Sequence, residues 1–85
     1  MNYVYVLENR SGKLYFGSTK DLRKRLSLHA LGHVDSTKRS SWTLIYYEAY
    51  RSEPDARRRE HQLKRHGQAK RQLKDRIRES RLGQS

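Results

Sequence analysis

Tyr3-Val4-Tyr5-Val6-Leu7, then Asn9-Arg10-Ser11-Gly12, then Lys13-Leu14-Tyr15-Phe16-Gly17 follow one another at the start of this chain and decide how it folds. The first run is β-branched and aromatic, which suits a pleated, half-buried strand. The middle run is turn chemistry, and the third returns to apolar residues. The order predicts a β-hairpin, with Gly12 supplying the positive φ that such turns often need. Tyr5 and Tyr15 then stand on neighbouring strands and can share a face.

Working outward, Ser18 or Thr19 can cap a helix and Asp21 suits its first turn, while Leu22, Leu26, Leu28 and Leu31 recur at helical spacing up to Gly32. This predicts a helix over 19–31. Residues 33–41 hold one apolar side chain, Val34, and read as a loop. Trp42 to Tyr50 reads as the third and most buried strand. Ser52, Pro54 and Asp55 form a near capping box for a second helix, with Ala56 and Leu63 on one face and Gly67 as its break. Ala69, Leu73 and Ile77 predict a last helix over 68–80, ahead of a tail, 81–85, that should fray. The fold class expected is α+β: a small three-stranded antiparallel sheet flanked by helices, order β-β-α-β-α-α, in one domain over residues 1–80.

Eighty-five residues with 20 Lys and Arg against 9 Asp and Glu carry a formal net charge of +11. No stretch approaches the roughly 20 apolar residues needed to cross a bilayer, and the N-terminus lacks the pattern of a signal peptide, so a soluble, cytoplasmic chain without a membrane partner is expected. The absence of Cys excludes disulfides and thiolate metal sites. Residues 51–85 hold 12 basic and 5 acidic side chains, against 8 and 4 in residues 1–50. Some of this is solvated helix surface, with Arg71 placed to pair with Asp75. The excess still costs self-repulsion unless a polyanion offsets it, and nucleic acid is the polyanion expected.

Certain polar residues sit where an outer helical face would not put them. Arg25 and His29 are four apart, beside the Leu22 and Leu26 stripe, and Glu60 falls between Ala56 and Leu63 within an apolar face. Each alone could be a rim salt bridge. A cation, an imidazole and a carboxylate directed at one small sheet form a candidate site. Tyr3, Tyr46, Tyr47 and Tyr50 read as core tyrosines. His29 and His33 are also four apart, but Gly32 interrupts the turn and no third ligand accompanies them, so zinc is not expected.

Taken together, Tyr3-Val4-Tyr5, Tyr15-Phe16-Gly17, Asp21 to His29, and Ala56 to Glu60 with Leu63-Lys64 resemble the GIY-YIG nuclease family, from about residue 2 to residue 80. The chain looks like its short, stand-alone bacterial members and is similar to the nuclease module of the excision-repair incision protein, which implies DNA repair. Position by position, the resemblance implies catalytic roles for Tyr5, Tyr15, Arg25 and His29, and a metal-binding role for Glu60. Gly17 matches the glycine ending the second motif, where a missing side chain lets backbone and substrate approach. Tyr3 and Phe16 depart from the name-giving glycine and isoleucine, and no Asn follows Asn9 to serve as the asparagine found in some branches.

The chemistry so implied is endonucleolytic hydrolysis of DNA phosphodiesters by in-line attack of water, with Mg²⁺ or Mn²⁺ on Glu60. One carboxylate suffices because Mg²⁺ keeps waters and takes phosphate oxygens as further ligands. Arg25 would clamp the phosphate with its planar donor fork. Tyr5 could act as a base only if nearby cations and metal lowered its pKa from about 10. Lys20, Arg23, Lys24, Lys38, Arg39 and the Arg57-Arg58-Arg59 run are candidates for phosphate contacts, which position nucleic acid without reading sequence. The nine-residue loop after His29 is a candidate for substrate choice. Two other classes remain open: a non-cleaving nucleic-acid-binding module of the same fold, and a basic protein adaptor.

Overall fold

In the computed structural model, residues 1–31 and 41–81 are described. Most of the expected 33–41 loop, with Lys38 and Arg39, therefore lies outside the described residues, as does the end of the tail. Strands β1 (Asn2–Asn9) and β2 (Leu14–Thr19) form the hairpin, followed by α1 (Leu22–Ala30), β3 (Trp42–Tyr50), α2 (Glu53–Arg65), α3 (Gly67–Arg76) and a single 3₁₀ turn, Arg78–Ser80. The architecture is the expected three-stranded antiparallel sheet in the order β-β-α-β-α-α. Gly12 takes φ +83°, and Asn9 Oδ1 accepts from the amides of Ser11 and Lys13 at 3.0 and 2.9 Å, which closes the turn.

The strands lie in the order β2-β1-β3. This corrects one expectation: β1, not β3, is the most buried strand. With a neighbour on each side and helices over both faces, Val4 to Glu8 are all buried, whereas β3 is an edge on which Tyr47 is 54% exposed. Tyr47 is thus no core tyrosine. Val4, Val6 and Phe16 face α2 and α3 and pack with Ala56, Leu63, Leu73 and Ile77. Each such apolar side chain contributes about 1.5–3 kcal/mol when fully buried. The opposite face carries Tyr5, Leu7 and Tyr15 and is covered by α1.

Helix starts and stops differ from expectation for local reasons. Asp21 itself caps α1, its carboxylate accepting from the Lys24 amide at 3.0 Å, while Thr19 ends β2. Ser52 stands at the N-cap of α2 without a side-chain hydrogen bond, so the near capping box is not formed. The break between α2 and α3 falls at His66, whose backbone is extended, and Gly67 opens α3. Asp75 lies 3.8 Å from Arg78, the ion pair the fold records for it in place of Arg71.

Two polar clusters tie the layers together. Glu48 on β3 accepts from the hydroxyls of Tyr46 and Tyr50 and from the Arg59 guanidinium of α2 at 3.0–3.3 Å. Arg81, which the sequence reading places in the tail, donates to the fully buried Glu8 at 2.7 and 2.9 Å and to the Gly12 carbonyl at 3.0 Å. Arg81 is thereby fastened to the hairpin turn.

Candidate active site

Helix α1 crosses the Tyr5 face of the sheet and directs His29 inward, where it is the one buried residue of the helix. The Tyr5 hydroxyl and His29 Nε2 lie 2.9 Å apart. The Tyr15 ring stands edge-on to His29 at 5.1 Å between centroids and lies 6.3 Å from the Tyr5 ring. In the hairpin register Tyr5 faces Gly17 and Leu7 faces Tyr15, so the two tyrosines are diagonal neighbours on one face. Arg25, one turn before His29, acts on both rings. Four of the five expected catalytic residues therefore form one cluster.

Gly17 is buried, and a Cβ there would fall 2.5 Å from Tyr5 Cζ and 2.9 Å from Cε1. The space left by the missing side chain holds the Tyr5 ring.

Burial sets the acid–base character of the cluster. It pushes the Tyr5 phenol up to about 12, with help from Tyr15, and outweighs the pull of Arg25 in the other direction. The lowered tyrosine pKa required for a base is thus not what this environment produces. Burial and the adjacent Arg25 charge both lower the His29 pKa, so the imidazole is neutral at neutral pH.

Glu60 reaches the sheet from the other layer. Its Oε1 accepts from the Ser18 hydroxyl, and its Oε2 lies 2.6 Å from Lys64 Nζ. Because β2 is an edge strand, Ser18 borders two adjoining hollows of about 340 and 380 Å³, one lined by Arg25 and the other by Glu60, with Arg57 common to both. Ser18 and Lys64 were not among the expected site residues. Ser18 could have been found from strand alternation, which turns it away from Gly17 and toward α2, and Lys64 from its i+4 spacing to Glu60. Among the described residues no three His, Cys, Asp or Glu side chains cluster to hold a metal ion. The two hard oxygens of Glu60 at the hollow's edge still suit a hydrated divalent cation that keeps most of its waters.

The expected phosphate contacts divide. Lys20 and Arg57 line the Arg25 hollow and share Glu53, at 3.8 and 3.0 Å. Arg23 borders a neighbouring hollow beside Tyr3 and Tyr47, and Lys24 is exposed. Arg58 is exposed and pairs with Asp55 at 2.9 Å. Arg59, by contrast, is turned inward on Glu48 and is unsuited to phosphate. Hydrogen bonds from Arg59, Tyr50 and Tyr46 outweigh burial and hold the Glu48 carboxyl below its usual range.

The sequence profile of the GIY-YIG catalytic domain matches residues 1–75. The chain belongs to the GIY-YIG family. Among similar GIY-YIG chains, a UPF0213 protein of Clostridium perfringens is 34% identical over 67 residues, 76% of this chain and 72% of that one. A UPF0213 protein of Streptococcus pneumoniae is 40% identical over 65 residues, 74% of this chain and 66% of its own length. The solution NMR structure of the UPF0213 protein BH0048 from Bacillus halodurans superposes with a TM-score of 0.57 at 34% identity, covering 88% of this chain and 84% of that one. The GIY-YIG assignment makes the chain a nuclease-like module and implies nucleic acid as its partner. Among the described residues no helix is long and apolar enough to cross a membrane.

Proposed function

We propose that this chain is a divalent-metal-dependent endonuclease that hydrolyses DNA phosphodiesters by in-line attack of water. The observation that carries this is the Tyr5, Tyr15, Arg25 and His29 cluster, whose Arg25 borders a hollow that shares Ser18 and Arg57 with the hollow of Glu60. Arg25 clamps the non-bridging oxygens of the scissile phosphate. Tyr5 stays a neutral phenol and donates to His29, while Tyr15 orients the water or phosphate at the open side. The neutral His29 is the group available to take a proton, directly or through the Tyr5 hydroxyl. Glu60 would hold Mg²⁺ or Mn²⁺, which when bound supplies charge neutralisation at the leaving oxygen. Lys20, Arg23, Lys24, Arg57 and Arg58 position the strand.

A second reading, a module that holds nucleic acid without cutting, is favoured by Lys64, whose ammonium sits on the Glu60 carboxylate where a cation would bind. The test is cleavage of single-stranded, duplex and branched DNA with Mg²⁺, with Mn²⁺ and with EDTA, comparing wild type with Glu60→Ala. Metal-dependent cleavage lost in Glu60→Ala is expected. Activity that survives in EDTA or in the variant sinks the metal mechanism, and binding without cleavage on every substrate selects the second reading.

A further inference from the structure

Tyr47 stands directly opposite Tyr5 in the register of β1 and β3, so it rises from the face of the sheet that carries the candidate catalytic phenol. Tyr3, two residues before Tyr5 on the same strand, points to that face as well. The Tyr3 and Tyr47 rings meet edge-on at 6.0 Å between centroids. Because β3 is an edge strand, Tyr47 remains 54% exposed, the one exposed ring among the tyrosine, phenylalanine and tryptophan side chains of the described residues. A large ring left in water contributes little to the core and keeps its apolar surface available to a partner. With Leu22 and Leu26 of α1, the two tyrosines wall a hollow of about 460 Å³, within the roughly 300–1,000 Å³ of small-molecule sites.

Lys20 and Arg23 border this hollow, and Lys20 and Asp21 border the hollow of Arg25 too, so the two adjoin at the turn that enters α1. Arg23 and Arg25 are two apart, about 200° around the helix, and therefore serve the two hollows from opposite sides of α1. Asp21, the acid in the lining, is engaged in capping α1 through the Lys24 amide. We infer that the hollow of Tyr3 and Tyr47 seats the base of an unpaired nucleotide flanking the phosphate held by Arg25, with Tyr47 as its stacking surface. Lys20 and Arg23 take the phosphates between the two. The inference rests on the nuclease reading and names its substrate as a strand that is single at that nucleotide. The net charge of +11 draws any polyanion to the surface, but an exposed ring in an apolar wall uses the base. A base inside a duplex has both faces stacked and reaches a tyrosine only after extrusion, at a free-energy cost that is smallest where it is already unpaired.

The experiment measures binding in EDTA by fluorescence anisotropy of two labelled oligonucleotides of equal length, a single strand and the same backbone with abasic residues throughout. Tyr47→Ala should weaken the single strand by about tenfold and leave the abasic strand unchanged, with the circular dichroism of wild type because the ring is exposed. Tyr47→Phe, which keeps the ring, should bind both as wild type does. Arg23→Ala, which removes a phosphate contact, should weaken both strands alike. On the wild-type protein, a single strand carrying 5-bromouracil should photocrosslink to Tyr47 or Tyr3, and the same strand annealed in a duplex should not. Single-strand binding unchanged in Tyr47→Ala, an equal loss on both strands, or adducts confined to other residues overturns the base site and leaves the nuclease reading standing. No binding or cleavage of any oligonucleotide at low salt, in EDTA or in Mg²⁺, removes both.

Discussion

The Tyr5 hydroxyl and His29 Nε2, separated by 24 positions in sequence, are joined at 2.9 Å between the central strand and the helix that crosses it. Burial moves the two groups in opposite directions, the phenol up to about 12 and the imidazole below 6.5. In the proposed mechanism the phenol is the proton donor of this pair and the imidazole the acceptor.

The pH–rate profile of cleavage under single-turnover conditions is accordingly expected to rise through an apparent pKa below 6.5, set by His29. His29→Gln should remove that limb. Tyr5→Phe should lower the rate by about 10²–10⁴-fold without unfolding the protein. A limb that persists unchanged in His29→Gln assigns the base elsewhere. The same shift has a stability consequence. The unfolded chain holds the His29 proton more tightly than the folded one, so the folded state is penalised as pH falls below 6.5, and not above it.

Gly17→Ala should be costly although alanine is the smallest change available. The added Cβ falls 2.5 Å from Tyr5 Cζ, and the Tyr5 ring, fully buried, can move only by displacing its neighbours. A loss of about 1–3 kcal/mol is expected from overpacking of this kind. Thermal denaturation of Gly17→Ala, Tyr5→Leu and the double variant checks it, since the two effects should be far from additive. Simple additivity would mean that the ring and the glycine do not share this space.

Glu48→Gln and Arg59→Ala should each destabilise the fold by about 1–3 kcal/mol, because either leaves a half-buried polar group without its charged partner. The Glu48 carboxyl is held below its ordinary 4.5, so its contribution is complete above that value and is lost as pH falls through the lower folded value. Urea denaturation at pH 7 and at progressively lower pH should show wild type converging on Glu48→Gln in acid. Parallel pH curves would remove Glu48 as the linked group.

The Glu8–Arg81 pair predicts where the chain can be shortened. A protein ending at residue 81 should melt above one ending at residue 80, which removes the Arg81 guanidinium from the Glu8 carboxylate, 1% exposed. Losing one partner of such a pair costs roughly 3 kcal/mol. Equal melting temperatures for the two truncations would show that the pair contributes nothing.

Much of the fold is legible in local chemistry. The hairpin follows from two apolar runs around Gly12, the helices from the spacing of Leu22 and Leu26 and of Ala56 and Leu63, and the site residues from the family resemblance of their motifs. What is not legible depends on neighbours distant in sequence. The apolar run at Trp42 to Tyr50 reads as more buried than Tyr3 to Leu7, because composition says nothing of which strand has a partner on both sides. Ser18 looks like a cap until Glu60, 42 positions away, is brought against it. Arg59 looks like part of a phosphate-binding run until Glu48 claims it.

By itself, then, the sequence determined the order of elements and the excess of positive charge, since these rest on side-chain identity and short-range periodicity, while its family resemblance named the candidate site residues. Only the tertiary structure decided how those residues are placed. The central place of β1 buries Tyr5 and raises its pKa. A β-bulge in β3, with Ile45 as its extra residue, turns Trp42 to the same face as Tyr15, and a reversal of phase in one strand is defined only by the register of its neighbour.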